Sequence, residues 1–379
     1  MERLLTEVCK IQYGFPFDSS KFSDTNGTPL IRIRDVVRGY SETFTTEEYK
    51  DEYLVQEGDL LIGMDGEFNI AKWGKAPALL NQRVCKLIPL ETIDKGYLFY
   101  YMPTALKAIE AKTPFVTVKH LAAKELNKVK IPLPSLEEQR KIAAVLDKVS
   151  DLIAKRREQL DKLDLLVKSK FIEMFGDPQE NPMHWPMLKL EECLLGIDNG
   201  KSFVCSNNAR QGELPGILKL SAATYGDYRP DENKAILDDS MFVESAEVHA
   251  GDLLFTRKNT PELVGMCAFV KKTPPKLMMP DLIFRLNTNE RCNKIYLWKL
   301  INHDMFRCNI QSIATGSAKS MSNISKERLS NLHIIVPPIS IQNDFADFVE
   351  QVDNSKSTIQ QSLEKLEILK KSLMQQYFG

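Results

Sequence analysis

No stretch of this 379-residue sequence approaches the roughly 20 apolar residues that a membrane span needs, and "MERLLTEVCKIQ" has no apolar core of signal-peptide length. The seven cysteines (9, 85, 193, 205, 267, 292, 308) never form CxxC and sit mostly in apolar runs. That argues against a disulfide framework and predicts reduced thiols in a cytoplasmic, non-membrane protein. The five histidines (120, 184, 249, 303, 333) are scattered, with neither HExxH nor a His/Cys pair at ligand spacing, so no metal centre is expected. The phosphate loop GxxxxGK[ST] is missing, and so is GxGxxG. The Asn/Asp-Pro-Pro-aromatic loop of an adenine methyltransferase is missing too; "DPQENP" and "NPMHW" approach it only superficially. Charge of one sign is also lacking. Lys+Arg number 50 against 51 Asp+Glu, so any contact with nucleic acid must rest on local patches.

What is present is a sequence written twice. At 43% hydrophobic residues and this length, two or three domains can be filled. Sliding the chain by 203 residues lays residues 124–176 on 327–379 without a gap, with 14 of 53 positions identical. Pro134/Pro337, Gln139/Gln342, Leu160/Leu363 and Phe175-Gly176/Phe378-Gly379 are among them. Upstream, Gly58-Asp59-Leu60-Leu61 answers Gly251-Asp252-Leu253-Leu254, and Ile31-Arg32-Ile33 answers Leu218-Lys219-Leu220. A period this long is a domain duplication, not a solenoid.

Each copy ends in a long amphipathic pattern. After "IPLPSLEEQR" apolar residues recur at 142, 146, 149, 153, 160, 163 and 167, broken at Arg156. After "IIVPPISIQN" they recur at 345, 349, 352, 359, 363, 366 and 373, broken at Lys356 and Lys370. A mean step of 3.5 predicts coiled-coil helices of some forty residues, about 60 Å each. Ser135 and Pro338 mark their starts, Glu137 and Glu138 suit the first dipole, and Gly176-Asp177-Pro178 stops the first. The simplest partner for each seam is the other copy, packed antiparallel as a rod with a module at each end and a pseudo-two-fold axis across its middle. The segments expected are a first globular module at 1–134, a helix at 135–176, a second module at 177–337 and a helix at 338–379. The modules read as mixed α/β. Strands are expected at "PLIRIRDV", "GDLLIGM", "RVCKLIPL", "GILKLSA", "GDLLFTR" and "DLIFRLN", and helices at "YLFYYMPTALKAIEA" and "KIYLWKLINHDMFRCNI".

Candidate binding residues gather at strand ends and loops. "IRIRDVVRG" places Arg32 and Arg34 on one strand face, with Arg38 in the turn beyond. "LNQRV" offers Gln82 and Arg83, while "AKTPFVTVKH" offers Lys112, Lys119 and His120. The second module presents Lys219, then Arg257, Lys258 and Asn259 in "FTRKNTPELVG", and Lys319 beside Gly316 and Ser317. Forked guanidinium and amide ends suit phosphates and base edges. An acidic residue followed by ExK (Asp227, then Glu232-Asn233-Lys234) is the one trace of a nuclease, set in a polar loop where such residues are usually solvated. A different class also fits: a coiled-coil scaffold whose modules grip proteins.

The chain resembles the DNA-specificity subunits of type I restriction-modification enzymes. The resemblance runs through "GFPFDSSKF", "PLIRIRD", the "GDLL" strands, "IPLPSLEEQRKIAAVLDKVSDLIAKRREQLDKL" and "ATGSAKSMSNISKERLSNLHIIVPP". It implies two target recognition domains, each reading half of a split, asymmetric DNA sequence, and an antiparallel helical spacer between them. It also implies a non-catalytic chain that carries no cofactor. Two methyltransferase subunits using S-adenosylmethionine join it, and restriction subunits add ATP- and Mg-dependent translocation and cleavage. The second proline phrase, "IIVPPISIQNDF", departs from the pattern in lacking the Glu-Glu-Gln-Arg wording.

Overall fold

Short apolar strands separated by Gly, Asn and Asp turns build the same sheet twice. The computed structural model describes residues 2–75, 77–113, 119–316 and 321–379. In the first module β1 (Cys9–Tyr13), β2 (Leu60–Gly63), β3 (Asn69–Lys72) and β4 (Val84–Pro89) form an antiparallel sheet in the order β1-β4-β2-β3. Helix α1 (Lys95–Lys112) follows, and then the long helix α2 (Leu136–Phe175). The second module repeats the topology. Strands β5 (Leu194–Asn199), β6 (Leu253–Thr256), β7 (Cys267–Phe269) and β8 (Ile283–Thr288) take the order β5-β8-β6-β7. Helix α3 (Lys294–Ile301) and the long helix α4 (Ile339–Phe378) complete it.

A smaller sheet in each module also repeats, with parallel pairs Leu30↔Leu79 and Ile217↔Met278. Both modules need a glycine where the two sheets cross. A Cβ on Gly14 would stand 2.0 Å from the Asn81 carbonyl oxygen, and one on Gly200 would stand 1.9 Å from that of Pro280. Only glycine permits backbones so close.

The chain divides into two compact units that cut across its four sequence segments. One comprises Met1–Glu158 with Gln360–Gly379; the other is Gln159–Ile359. Each unit therefore owns a module, the near part of one long helix and the far part of the other. In the first unit Arg157 Nη2 lies 2.6 Å from Glu367 Oε1, while Ile142 and Leu146 share a core with Leu373, Met374 and Phe378. The two helical segments thus run antiparallel. In the second unit Lys356 Nζ meets Asp164 Oδ1 at 2.6 Å, and Phe171 packs on Phe345 at 5.5 Å, again antiparallel. Lys356, which interrupts the apolar seam, is accommodated by that ion pair. Lys370, the other interruption, sits over the Tyr100 ring at 5.8 Å, and burial lowers its pKa.

The helix starts explain the odd proline phrases. Ser135 Oγ accepts from the Glu138 N–H at 3.3 Å, and the Gly176 backbone at φ 75° closes the helix. One turn in, Gln139 is fully buried. Its amide donates to the Thr92 and Pro134 carbonyls (3.3 and 2.9 Å) and accepts from the Asp94 N–H (2.9 Å). Gln342 does the same, donating to Arg291 and Pro337 (3.0 and 2.7 Å) and accepting from Asn293 (2.9 Å). Asp94 and Asn293 cap α1 and α3, and Tyr97 and Tyr296 each donate a hydroxyl at 2.8 Å to the proline-phrase backbone, at Pro132 and Ile335. Glutamine thus locks helix to module in both copies. Removing either amide would leave a partly buried N–H and two carbonyls without this partner, at up to about 1–3 kcal/mol for each group that water cannot reach.

Three expected elements are corrected, the briefest being "GILKLSA", a strand only over Gly216–Leu218 before a 3-10 turn at Leu220–Ala222. "PLIRIRDV" is not one strand: it is Thr28–Ile31, then a short helix Ile33–Arg38. The cause is Asp35, fully buried, which accepts from the Arg32 N–H at 2.8 Å and caps the turn, and Gly39 ends it at φ 76°. "KIYLWKLINHDMFRCNI" is not one helix either, because α3 stops at Ile301. The Asn302 amide pairs instead with both backbone groups of Cys267 on β7, at 2.8 and 2.9 Å. Such side-chain pairing with backbone competes directly with helix continuation.

Candidate nucleic-acid interface

The strand-to-helix step in each module turns a cation outward. Arg32 and Lys219 both occupy the capping position at that step, so the expected shared strand face of Arg32 and Arg34 does not exist. Arg32, Gln82 and Arg83 nonetheless meet, lining one cleft of about 310 Å³ with Ser19 and Asn81. A turn fixed by the Val84 N–H on the Asn81 carbonyl (2.9 Å) brings Gln82 and Arg83 to its rim. Arg34 and Arg38 are engaged elsewhere, with Thr43 at 3.3 Å and Glu42 at 3.6 Å.

Arg83 stands beside His120, named above, and beside Asp65, which sequence reading left out. Its Nε lies 3.6 Å from Asp65 Oδ2, while Asp65 Oδ1 lies 2.5 Å from His120 Nδ1. Arg83 Nη1 is 3.4 Å from that same nitrogen. Since a carboxylate only accepts, the imidazole donates Nδ1–H to Asp65. Asp65 is the most buried of the three at 23% side-chain exposure, against 51% for Arg83 and 48% for His120. The reading outward is Asp65, then His120 and Arg83, then solvent. His120 also joins a second, larger cleft of about 690 Å³, lined by Lys112, Lys124, Lys128 and Lys130 beside Tyr101. Three of those lysines fall within "KELNKVK", a local basic run that a charge scan would find. Lys119 points to another cleft and pairs with Glu110 at 3.2 Å.

In the second module Arg257 Nη2 donates to Asn323 Oδ1 at 3.2 Å, and its guanidinium lies 4.9 Å over the Phe284 ring. Lys258, half-buried, stands opposite Asn323 in a short antiparallel pair. Asn259 is buried, its amide donating to Thr224 Oγ1 at 3.1 Å and accepting from the Thr260 N–H at 2.9 Å, so it holds the loop together. Lys219 Nζ lies 3.6 Å from Glu232 Oε2, and Lys319 falls outside the described residues.

The nuclease trace dissolves in this geometry. Ser221 Oγ donates to Glu232 at 2.8 Å, and that bond, with Lys219 beside it, holds the carboxyl below its usual range. Lys234 lies on a strand paired with Ile217. Among the described residues no group of three or more His, Cys, Asp or Glu is placed to hold a metal ion, and no helix is long and apolar enough to cross a membrane.

Residues 1–163 and 185–368 match the family described as "Type I restriction modification DNA specificity domain". The EcoBI type I restriction enzyme specificity subunit of Escherichia coli is 40% identical over 166 residues, 43% of this chain and 35% of that protein. The EcoEI specificity subunit, also from Escherichia coli, is 30% identical over 217 residues, 55% of this chain and 36% of its own length. The chain thus spans about a third of those two relatives. The MjaVIII specificity subunit of Methanocaldococcus jannaschii is 24% identical over 379 residues, covering 91% of this chain and 87% of its own. Among solved structures, a type I restriction-modification S subunit from M. genitalium superposes with a TM-score of 0.62 at 12% identity, covering 100% of this chain and 96% of that one.

Proposed function

We propose, from the premise that the chain belongs to the type I restriction-modification DNA specificity family, that it is the sequence-reading subunit of such an enzyme. It reads a bipartite, asymmetric duplex target, one half-site per module, and does so in the cytoplasm. The observation that carries this reading is a framework kept twice under rims that differ. Sheet order, crossing glycine, buried glutamine and capped helix all recur, while one module has Arg83, Asp65 and His120 at its rim and the other has Arg257, Lys258 and Asn323. A constant frame with variable rims suits two different half-sites.

The chain itself performs no chemistry in this reading. S-adenosylmethionine, ATP and Mg²⁺ belong to methyltransferase and restriction subunits that it assembles. Two identical methyltransferase subunits fit a repeated feature of the long helices. Leu165 and Leu166 are 61% and 46% exposed, and Ile368 and Leu369, 203 residues on, are 69% and 45% exposed. Each unit thus offers one apolar pair at the same helix position, as two copies of one partner require.

The test is the methylated motif of a strain expressing the chain with its methyltransferase subunits. A split, non-palindromic motif is expected, and a continuous or palindromic one would overturn the reading. The purified chain alone is expected neither to methylate nor to cut DNA with any of those cofactors. Cleavage by the pure chain that Glu232→Ala abolishes would contradict this.

A further inference from the structure

Backbone hydrogen bonds give a residue-by-residue correspondence between the two rims. The Met64 N–H donates to the Arg83 carbonyl at 3.0 Å, and the Arg257 N–H donates to the Leu282 carbonyl at 3.0 Å. The Leu121 N–H donates to Met64 at 2.7 Å, and the Ile324 N–H to Arg257 at 2.8 Å. Asp65 bridges His120 where Lys258 pairs with Asn323. Position 64 therefore answers 257, 65 answers 258, 83 answers 282, and 120 answers 323. One hydrogen-bonded residue pair carries an arginine in both modules, but on opposite members: Arg83 in the first, Arg257 in the second. In both, the residue bridged to position 65 or 258 touches that guanidinium, His120 at 3.4 Å and Asn323 at 3.2 Å.

We infer that this junction is the specificity-determining position of each module, where Arg83 and Arg257 each read a guanine, and that Asp65, His120 and Asn323 are their positioning residues. The inference rests on the reading of the chain as a DNA-specificity subunit. The chemistry is that of a fork held from behind. Asp65 pairs with the Nε side of Arg83 at 3.6 Å, which biases the guanidinium and leaves its terminal N–H groups for the paired O6 and N7 acceptors of a guanine edge. Asn323 takes one Nη2 proton of Arg257 while the Phe284 ring supports the plane from below. A side chain so restrained loses less freedom on binding and rejects wrongly placed acceptors. The two supports also differ in charge. Module one sets a carboxylate where module two sets Lys258, so the two rims favour different flanking base edges.

The experiment uses the chain assembled with its methyltransferase subunits and reads the methylated motif, then binding to the same duplex with 7-deazaguanine at one position. In the wild type, 7-deazaguanine, which lacks the N7 acceptor, should weaken binding at one guanine per half-site. Arg83→Ala and Arg83→Lys should relax a single guanine of one half-site by about 10- to 100-fold and abolish the 7-deazaguanine effect there. Asp65→Asn should relax the same position by about 5- to 10-fold, with Asp65→Glu restoring part of it. Arg257→Ala and Asn323→Ala should do likewise in the other half-site. The untouched half-site reports folding in every case. Lys112→Ala should instead weaken all sequences alike and reduce the salt dependence. Variants at 83 or 65 that lower binding to every sequence equally, or leave the motif unchanged, would overturn the inference while the split motif of the wild type still stood. Absence of a split motif in the wild type would overturn the underlying reading, and this inference with it.

Discussion

Adding four residues to each long helix, after Lys155 in α2 and after Thr358 in α4, is expected to lengthen the gap in the DNA target by about two base pairs and leave both half-sites unchanged. The boundary between the units falls inside both helices, so each insertion lengthens a helix that is divided between them. Four residues add about 6 Å of rise and roughly 40° beyond a full turn, which the seam absorbs as a local unwinding. The two sites are 203 residues apart and equivalent in the duplication, so the insertions lengthen both partners alike. An insertion in α2 alone should instead put Arg157–Glu367 and Lys356–Asp164 out of register with the packing of Ile142 and Leu146 on Leu373 and Phe378, and lower activity on every spacing. The measurement is the methylated motif of each variant. A doubly lengthened chain active only on the original gap would show that the helices do not set the spacing.

Phe378→Ala and Phe175→Ala should each cost about 3–5 kcal/mol, but in different units. Phe378 ends α4 and packs on Tyr97 at 5.3 Å and Tyr101 at 5.8 Å, in the core of the first module. Phe175 ends α2 and packs on Tyr296 at 4.8 Å, Phe345 at 5.2 Å and Phe171 at 4.9 Å, in the core of the second. Phe175 is fully buried and Phe378 is 7% exposed, so Phe175→Ala belongs at the upper end of the range. Hydrogen exchange resolves the two. Phe378→Ala should deprotect amides of residues 1–134 although it lies more than 200 positions away, and Phe175→Ala should deprotect those of 177–337. Equal loosening of both modules by either variant would mean that the units do not unfold separately.

The long helices were legible because forty residues of one period outvote any local exception. Arg156, Lys356 and Lys370 broke the pattern without breaking the helix. The glutamine locks were half legible: Gln139 and Gln342 stood out as identities, but nothing local says that their amides reach 45 to 51 residues away to Asp94 and Arg291. The short helix at Ile33–Arg38 could have been found. Asp35 three residues after Arg32, with Gly39 at the end, is a start and stop signal that alternating Ile and Arg concealed. The broken α3 could not, since Asn302 prefers a strand 35 residues distant to its own helix. The same limit governs the candidate site. Gln82 and Arg83 stand out in the sequence as forked, polar ends, whereas Asp65 and Asn323 matter only through partners 55 and 66 residues away.

The division of the chain into units also dictates an order of folding. The second unit is one uninterrupted stretch, Gln159–Ile359, and can close as soon as it has left the ribosome. The first unit cannot. Met1–Glu158 is completed only by Gln360–Gly379, after an interval of roughly 10–40 s at ordinary synthesis rates of about 5–20 residues per second. Throughout that interval the surface around Tyr97 and Tyr101 that Phe378 will cover is bare to water. Its closure also carries the loop entropy of a contact between residues far apart in sequence, Tyr97 and Phe378. That exposed aromatic patch on a nascent chain is where a chaperone has reason to bind and where aggregation would begin. The module made first is the one finished last.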